Sequence, residues 1–176
     1  MRVIGGRSRG RRLAAKLPKT VRPTSDRVRE SIFDILGSQG GVDELDVVDL
    51  FCGSGALGLE ALSRGAASVT FVDEDAQALA AVRANLEAVG LGDQPAKFVR
   101  ATLPGWLGGA PAFDLALCDP PYDFLAWPEL LEVLRAERVV MESSAEIALP
   151  DPWMVTRARR YGGTLVTVAQ RSDTDS

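Results

Sequence analysis

Two short stretches carry the residue types with which this chain can do chemistry. The first, "DLFCGSGALG" (49–58), sets Gly53, Gly55 and Gly58 in a G-x-G-x-x-G spacing directly behind an apolar run. Glycines there let the backbone turn tightly and approach a ligand, and the helix they open adds unpaired N–H donors. The second, "LCDPPYD" (117–123), ends another apolar run in two prolines held between Asp119 and Tyr122. Proline cannot donate to a sheet, so the strand stops, and the rigid Pro120 and Pro121 hold the Asp119 carboxylate and the Pro120 carbonyl as two acceptors aimed at one place. Such a pair is a seat for an –NH2 group. The Tyr122 ring offers a face on which a nucleobase stacks, worth about 1 to 3 kcal/mol.

Histidine is absent from the sequence, which removes Ser-His-Asp and Cys-His pairs, imidazole general bases and zinc sites built on imidazole. Cys52 and Cys118 are too few for a disulfide scaffold and lack metal-ligand spacing, so they read as small, buried, reduced residues. No metal site is expected, and the chemistry must rest on carboxylates, backbone and a cofactor. An amine seated on Asp119 and Pro120 needs no covalent intermediate. Accepting its hydrogens enriches the nitrogen, in-line attack on a methyl group can follow, and positioning with hydrogen bonds that strengthen as the nitrogen becomes cationic supplies most of the gain.

The cofactor is narrowed by two acids. Asp73 follows the glycines by about 20 residues, where a carboxylate accepts both hydroxyls of a ribose. A nicotinamide dinucleotide satisfies that pattern as well. Asp49 separates the two readings, because a carboxylate just before the glycines repels a pyrophosphate but suits the ammonium of an amino-acid-like cofactor such as S-adenosylmethionine (SAM). This acid, glycine loop and second acid resemble the SAM-binding motifs of Rossmann-like methyltransferases.

The elements that must position these motifs alternate along the chain. "SDRVRESIFDILG" repeats Val28, Ile32 and Leu36 at helical spacing. Strand 46–52, helix 56–65, strand 68–73, helix 75–90, strands 96–101 and 113–119, a helix from Pro128 to Ala136 and strand 138–144 follow. Two β-rich runs within 153–171, broken at Gly162 and Gly163, read as an antiparallel hairpin. The pattern predicts an α/β, Rossmann-like fold: a mostly parallel seven-stranded sheet with helices on both faces. At 176 residues, 46% hydrophobic and 25% charged, the chain is expected to form one domain, with residues 1–22 as a basic arm, 23–171 as the core and 172–176 as a frayed tail. No apolar run approaches a membrane span of roughly 20 residues, and the cytoplasm is the expected location.

The formal net charge of −4 hides an asymmetry. Residues 1–29 hold ten Lys or Arg against the single acid Asp26, a balance of +9 that leaves −13 on the remainder. An acidic body with a cationic arm fits an arm that meets a polyanion. In "RVIGGRSRGRRLAA" turn glycines separate short apolar segments, as in a β-hairpin, and the arm reads as separable from the folded core.

Taken in order, "RVIGGRSRGRRL", "RPTSDRVRESIFDIL", "DLFCGSGALGLEALSRGA" and "DPPY" resemble the RsmD-type methyltransferases, bacterial enzymes that methylate the exocyclic N2 amine of a guanine in 16S ribosomal RNA. The likeness covers nearly the whole chain. It implies that Asp119, Pro120, Pro121 and Tyr122 seat the guanine. Asp49, Phe51, Gly53, Ser54, Gly55, Leu57, Gly58, Asp73, Glu74 and Thr102 would then hold SAM, and Arg7, Arg9, Arg11, Arg12, Arg22, Thr24, Arg27 and Arg29 would meet RNA. The implied partner is 16S RNA in an assembled or assembling 30S subunit, met by a monomer. Two departures stand out: Thr102 replaces the usual acid or amide that holds the adenine amine of SAM, and Asp73 replaces the more frequent glutamate. Asp-Pro-Pro-Tyr alone also admits N6-adenine methyltransferases of DNA or RNA, and a non-catalytic RNA-binding assembly factor is the non-enzyme alternative. A cytosine-C5 enzyme would need a nucleophilic cysteine, and a protein-glutamine enzyme typically carries Asn in place of Asp119 and lacks a basic arm.

Overall fold

A computed structural model describes residues 1–15 and 24–172. Helices α1 (Asp26–Ser38), α2 (Ala56–Ser63), α3 (Ala76–Ala88) and α4 (Trp127–Val133) alternate with strands β1 (Asp46–Leu50), β2 (Ser68–Asp73), β3 (Ala96–Arg100), β4 (Phe113–Cys118) and β5 (Ala136–Ser143). The hairpin β6 (Trp153–Tyr161) and β7 (Thr164–Arg171) completes one seven-stranded sheet in the order β3-β2-β1-β4-β5-β7-β6. The first five strands are parallel, and β7 is antiparallel to both β5 and β6. The expected seven-stranded Rossmann-like sheet is therefore present.

Alternation along each strand divides the apolar side chains between two cores, because successive Cβ atoms leave a strand on opposite faces. Val47, Phe71, Leu115, Leu117 and Val140 pack with α1, α2 and α3 on one face. Val48, Leu50, Ala116, Met141 and Trp153 pack with α4 on the other. Both faces being covered explains why these strands read as continuous apolar runs rather than alternating ones. A short 3-10 helix over Gly105–Gly109 was not expected from the sequence; it inserts Leu107 into the second core.

Where chain order reverses, β1 lies between β2 and β4, so the loops after β1 and β4 open on one crevice at the carboxyl ends of the strands. Helix α1 reaches this crevice by its N-terminus, where Ser25 caps the helix by accepting the Val28 N–H at 3.2 Å.

The arm forms only a minimal hairpin. Arg2 and Arg12 make one antiparallel bridge, Val3 N–H donates to Arg11 O at 2.9 Å, and the tip turns through a short 3-10 helix at Gly6–Ser8. Its described residues, 1–15, dock on the core. Glu60, 1% exposed inside α2, accepts the backbone N–H of Ile4 at 2.9 Å and of Gly5 at 2.7 Å. Its oxygens also meet Arg64 Nε at 2.9 Å and Arg29 Nε at 3.5 Å. Arg29 in turn donates to the carbonyl of Arg2 and to Asp26 Oδ1. Ser8 hydrogen bonds Ser63 Oγ and the Val89 carbonyl, and Val3 enters the first core. Arg29 is 1% exposed, which corrects its assignment to an RNA-facing set: its guanidinium neutralises a buried carboxylate instead.

Removing one member of such a buried charged cluster leaves its partners without compensation. Glu60→Ala is expected to lower unfolding free energy by about 3–5 kcal/mol and to release the arm. Denaturant titration measures the first effect, and faster tryptic cleavage after the arm arginines at low protease measures the second.

Candidate active site

The crevice has a volume of about 1240 Å³ and is lined by Asp49, Phe51, Gly53, Ser54, Leu57, Asp73 and Glu74 from the β1 and β2 ends, and by Asp119 through Trp127 from the β4 end. Thr24, Arg27, Glu142 and Arg160 close its third side. Of the glycines, Gly55 takes φ +79° and a side chain there would strike Val82 at 2.9 Å, so the turn admits only glycine. Gly58 serves packing instead: a Cβ would lie 2.4 Å from the Phe71 ring, so its absence sets the approach of α2 to β2. Phe51 sits at φ +56° and packs edge-on against Phe124, ring centroids 5.0 Å apart, while Phe124 meets Trp127 at 5.2 Å. This aromatic chain ties the glycine loop to the Asp-Pro-Pro-Tyr loop.

Each carboxylate is oriented. Asp49 Oδ2 accepts Gly58 N–H at 2.9 Å. Asp73 accepts Gly53 N–H at 3.0 Å on one oxygen and Asp75 N–H at 2.9 Å on the other. Thr24 Oγ1 lies 2.6 Å from Asp119 Oδ2 and 3.2 Å from Glu142 Oε1. Tyr122 is 52% exposed at the mouth. Asn85, fully buried on α3, donates to the Ser54 carbonyl at 2.9 Å and accepts Ala15 N–H at 2.8 Å, joining the glycine loop to the arm.

Burial raises the Asp49 carboxyl well above its usual range; the Gly58 N–H opposes this, and Asp119 and Asp73 add to it through their negative charge. A crevice in which the charges of Asp119 and Asp73 work against ionisation of Asp49 fits a cationic ligand, whose charge favours that ionisation. Burial likewise pushes the Cys52 and Cys118 thiols up. Neither is a nucleophile at neutral pH, since the thiolate is the reactive form.

The structure brings together most of the residues expected from the sequence. Thr102 is exposed and is not among the residues lining the crevice, which Ala101 and Leu103 on either side of it do line. Arg27 lines the crevice, whereas Arg7, Arg9, Arg11 and Arg12 are exposed away from it on the docked arm. Arg22 lies outside the described residues. Glu60, Asn85 and Glu142 were missed. A lone acid in the apolar "ALGLEALS" was a readable signal for Glu60, and a carboxylate closing the apolar run "VVME" for Glu142.

The family model described as "Conserved hypothetical protein 95" matches residues 1–170. The chain belongs to the RsmD-type methyltransferase family. It is 35% identical to the Bacillus subtilis protein YlbH, over 97% of this chain and 99% of that one. It is 32% identical to the "Ribosomal RNA small subunit methyltransferase D" of Escherichia coli K12, over 97% and 90%. Among solved structures, Escherichia coli yhhF superposes with a TM-score of 0.84 at 31% identity, covering 97% of each chain. As a member of this family the protein is a methyltransferase.

The raised Asp49 carboxyl has a signed consequence for stability. The folded state holds that proton more tightly than the unfolded chain, so the cost to stability is nil below the unfolded value of about 3.9, grows as pH rises beyond it and is complete above the folded value. Asp49→Asn, whose amide oxygen still accepts Gly58 N–H, is expected to melt higher than the parent at neutral pH without ligand. The advantage should vanish as pH falls below about 4. Thermal melts across pH check this.

Proposed function

We propose that the protein transfers a methyl group from SAM to the exocyclic N2 amine of a guanine in the RNA of the small ribosomal subunit, acting as a monomer whose residues 1–176 form one catalytic unit. The observation that carries the reading is the convergence at the β1–β4 switch of the Asp119–Pro120 acceptors, the exposed Tyr122 ring and the carboxylates Asp49 and Asp73. The names of related proteins, among them the Escherichia coli small-subunit enzyme, support the substrate class.

SAM, when bound, supplies a methyl group on a sulfonium, open to attack by an amine. Asp49 and the loop from Gly53 to Leu57 hold its amino-acid end, and Asp73 receives the ribose hydroxyls on lone pairs left beyond its two backbone donors. Across the crevice the Asp119 carboxylate and the Pro120 carbonyl accept the amine hydrogens, and Tyr122 stacks on the base. Thr24 fixes the rotamer of Asp119 by donating at 2.6 Å. As the nitrogen gains positive charge, both acceptor bonds strengthen, which is where catalysis arises. The proton leaves after transfer, so no strong base is needed.

The direct test is incubation with labelled SAM and, in parallel, free 16S RNA, small subunits and DNA. Label in RNA with digestion to N2-methylguanosine supports the reading; label confined to DNA, or none, refutes it. Asp119→Ala is expected to lower kcat about 10²–10³-fold while SAM affinity by calorimetry stays within a few-fold. The exposed arm arginines are expected to meet phosphates. Arg9, Arg11 and Arg12 replaced together by alanine should weaken RNA binding and make the slope of log affinity against log salt shallower by about 2 to 3. SAM binding should not respond.

A further inference from the structure

The Asp119–Pro120 seat recognises an –NH2 group, and both guanine and adenine carry one. Two acceptors cannot tell these amines apart, so a neighbouring group must read what lies beside the amine. In guanine that neighbour on the ring is an N1–H donor. In adenine and in 2-aminopurine it is a lone pair.

Glu142 lies beside Asp119 in the crevice. Cys118 of β4 and Met141 of β5 are register partners on adjacent parallel strands, so Asp119 and Glu142, each one residue further, lie side by side at the carboxyl ends. Residues paired in this way leave the sheet on the same face. Glu142 lines the crevice and is only 7% exposed. A single hydroxyl, Thr24 Oγ1, lies within reach of both carboxylates, at 2.6 Å from Asp119 and 3.2 Å from Glu142. A hydroxyl carries one hydrogen, and the shorter contact gives it chiefly to Asp119. A carboxylate has about four lone-pair sites, enough to meet a ring N–H as well as donors from the protein.

We infer that Glu142 is the residue that selects guanine, accepting the ring N1–H while Asp119 and Pro120 accept the adjacent amine. The inference rests on the guanine reading proposed above. Together the three acceptors match the donor edge of guanine, and the same carboxylate repels the N1 lone pair of adenine. Glu142 thereby supplies a discrimination that the Asp-Pro-Pro-Tyr loop lacks.

The test uses the full-length protein and reconstituted small subunits. The nucleotide methylated by the parent enzyme is first located by mass spectrometry, and subunits are then rebuilt with guanine or 2-aminopurine at that site. 2-Aminopurine keeps the amine but has no N1–H. The parent is expected to prefer guanine by about 100-fold in kcat/KM. In Glu142→Gln the amide N–H can face a lone pair, so guanine turnover should fall while 2-aminopurine holds or improves, shrinking the preference to about ten-fold or less. Glu142→Asp, which keeps the charge, should retain the preference at a lower rate, and SAM affinity by calorimetry confirms that each variant is folded. Support for Thr24 alone would slow both bases equally, so an unchanged ratio in Glu142→Gln overturns the inference, as does a parent ratio near one. The parent ratio needs no variant to fold. Methylation mapped to adenine would overturn the guanine reading as well, whereas methylation of guanine without discrimination overturns this inference alone.

Discussion

The carboxylate of Glu60 accepts three hydrogen bonds, faces the Arg29 guanidinium and has almost no contact with water. An ion in that position is tolerable only when its lone pairs are filled and its charge is countered. The chain meets the requirement by bringing in the N-terminal backbone at Ile4 and Gly5 and the side chains of Arg29 and Arg64. The arm therefore docks, α1 is drawn against α2 through Arg29, and the helix that opens on the glycine loop is fixed at its middle. Asn85 continues this connectivity from Ala15 to the Ser54 carbonyl. A segment whose composition suggests a loose polycation is thus a structural part of the catalytic body, with its exposed arginines held in a set arrangement.

At the crevice the opposite condition holds. Asp49 and Asp73 are oriented by backbone N–H groups, and burial together with the negative charge of Asp119 and Asp73 works against ionisation of Asp49. A cationic ligand of the kind that the glycine loop is shaped to hold favours the ionised form of Asp49.

Much of this was legible in the residues. Buried strands stood out as apolar runs because both sheet faces are covered, and the two loops at their carboxyl ends were marked by glycine and proline. Legibility failed where tertiary contacts overrode local preference. The sequence "LRAE" after Val133 favours helix, yet α4 ends there and β5 begins at Ala136. Pairing of Ala136 with Phe113 and clamping of the Leu134 and Ala136 carbonyls by Arg171 decide the matter. Arg29 was misassigned because a charge run gives no sign of which arginine turns inward; helical phase beside Val28 and Ile32 held that information only once α2 and its acid were in place. Thr102 follows β3 as expected, but the chain turns so that its neighbours face the crevice.

The sheet also has two open edges, and both are guarded. The outer strand β6 is exposed from Met154 to Arg160, with bare Met154 and Val155 near its start. A long apolar edge of this kind is a template for pairing with another chain. Here the register breaks at a bulge between Val155 and Arg157, and Arg157, Arg159 and Arg160 follow at once. At the far edge, β3 carries Lys97 and Arg100. Two molecules meeting edge to edge would bring like charges together, and at β6 across a broken ladder, which disfavours pairing through the sheet that builds the active site.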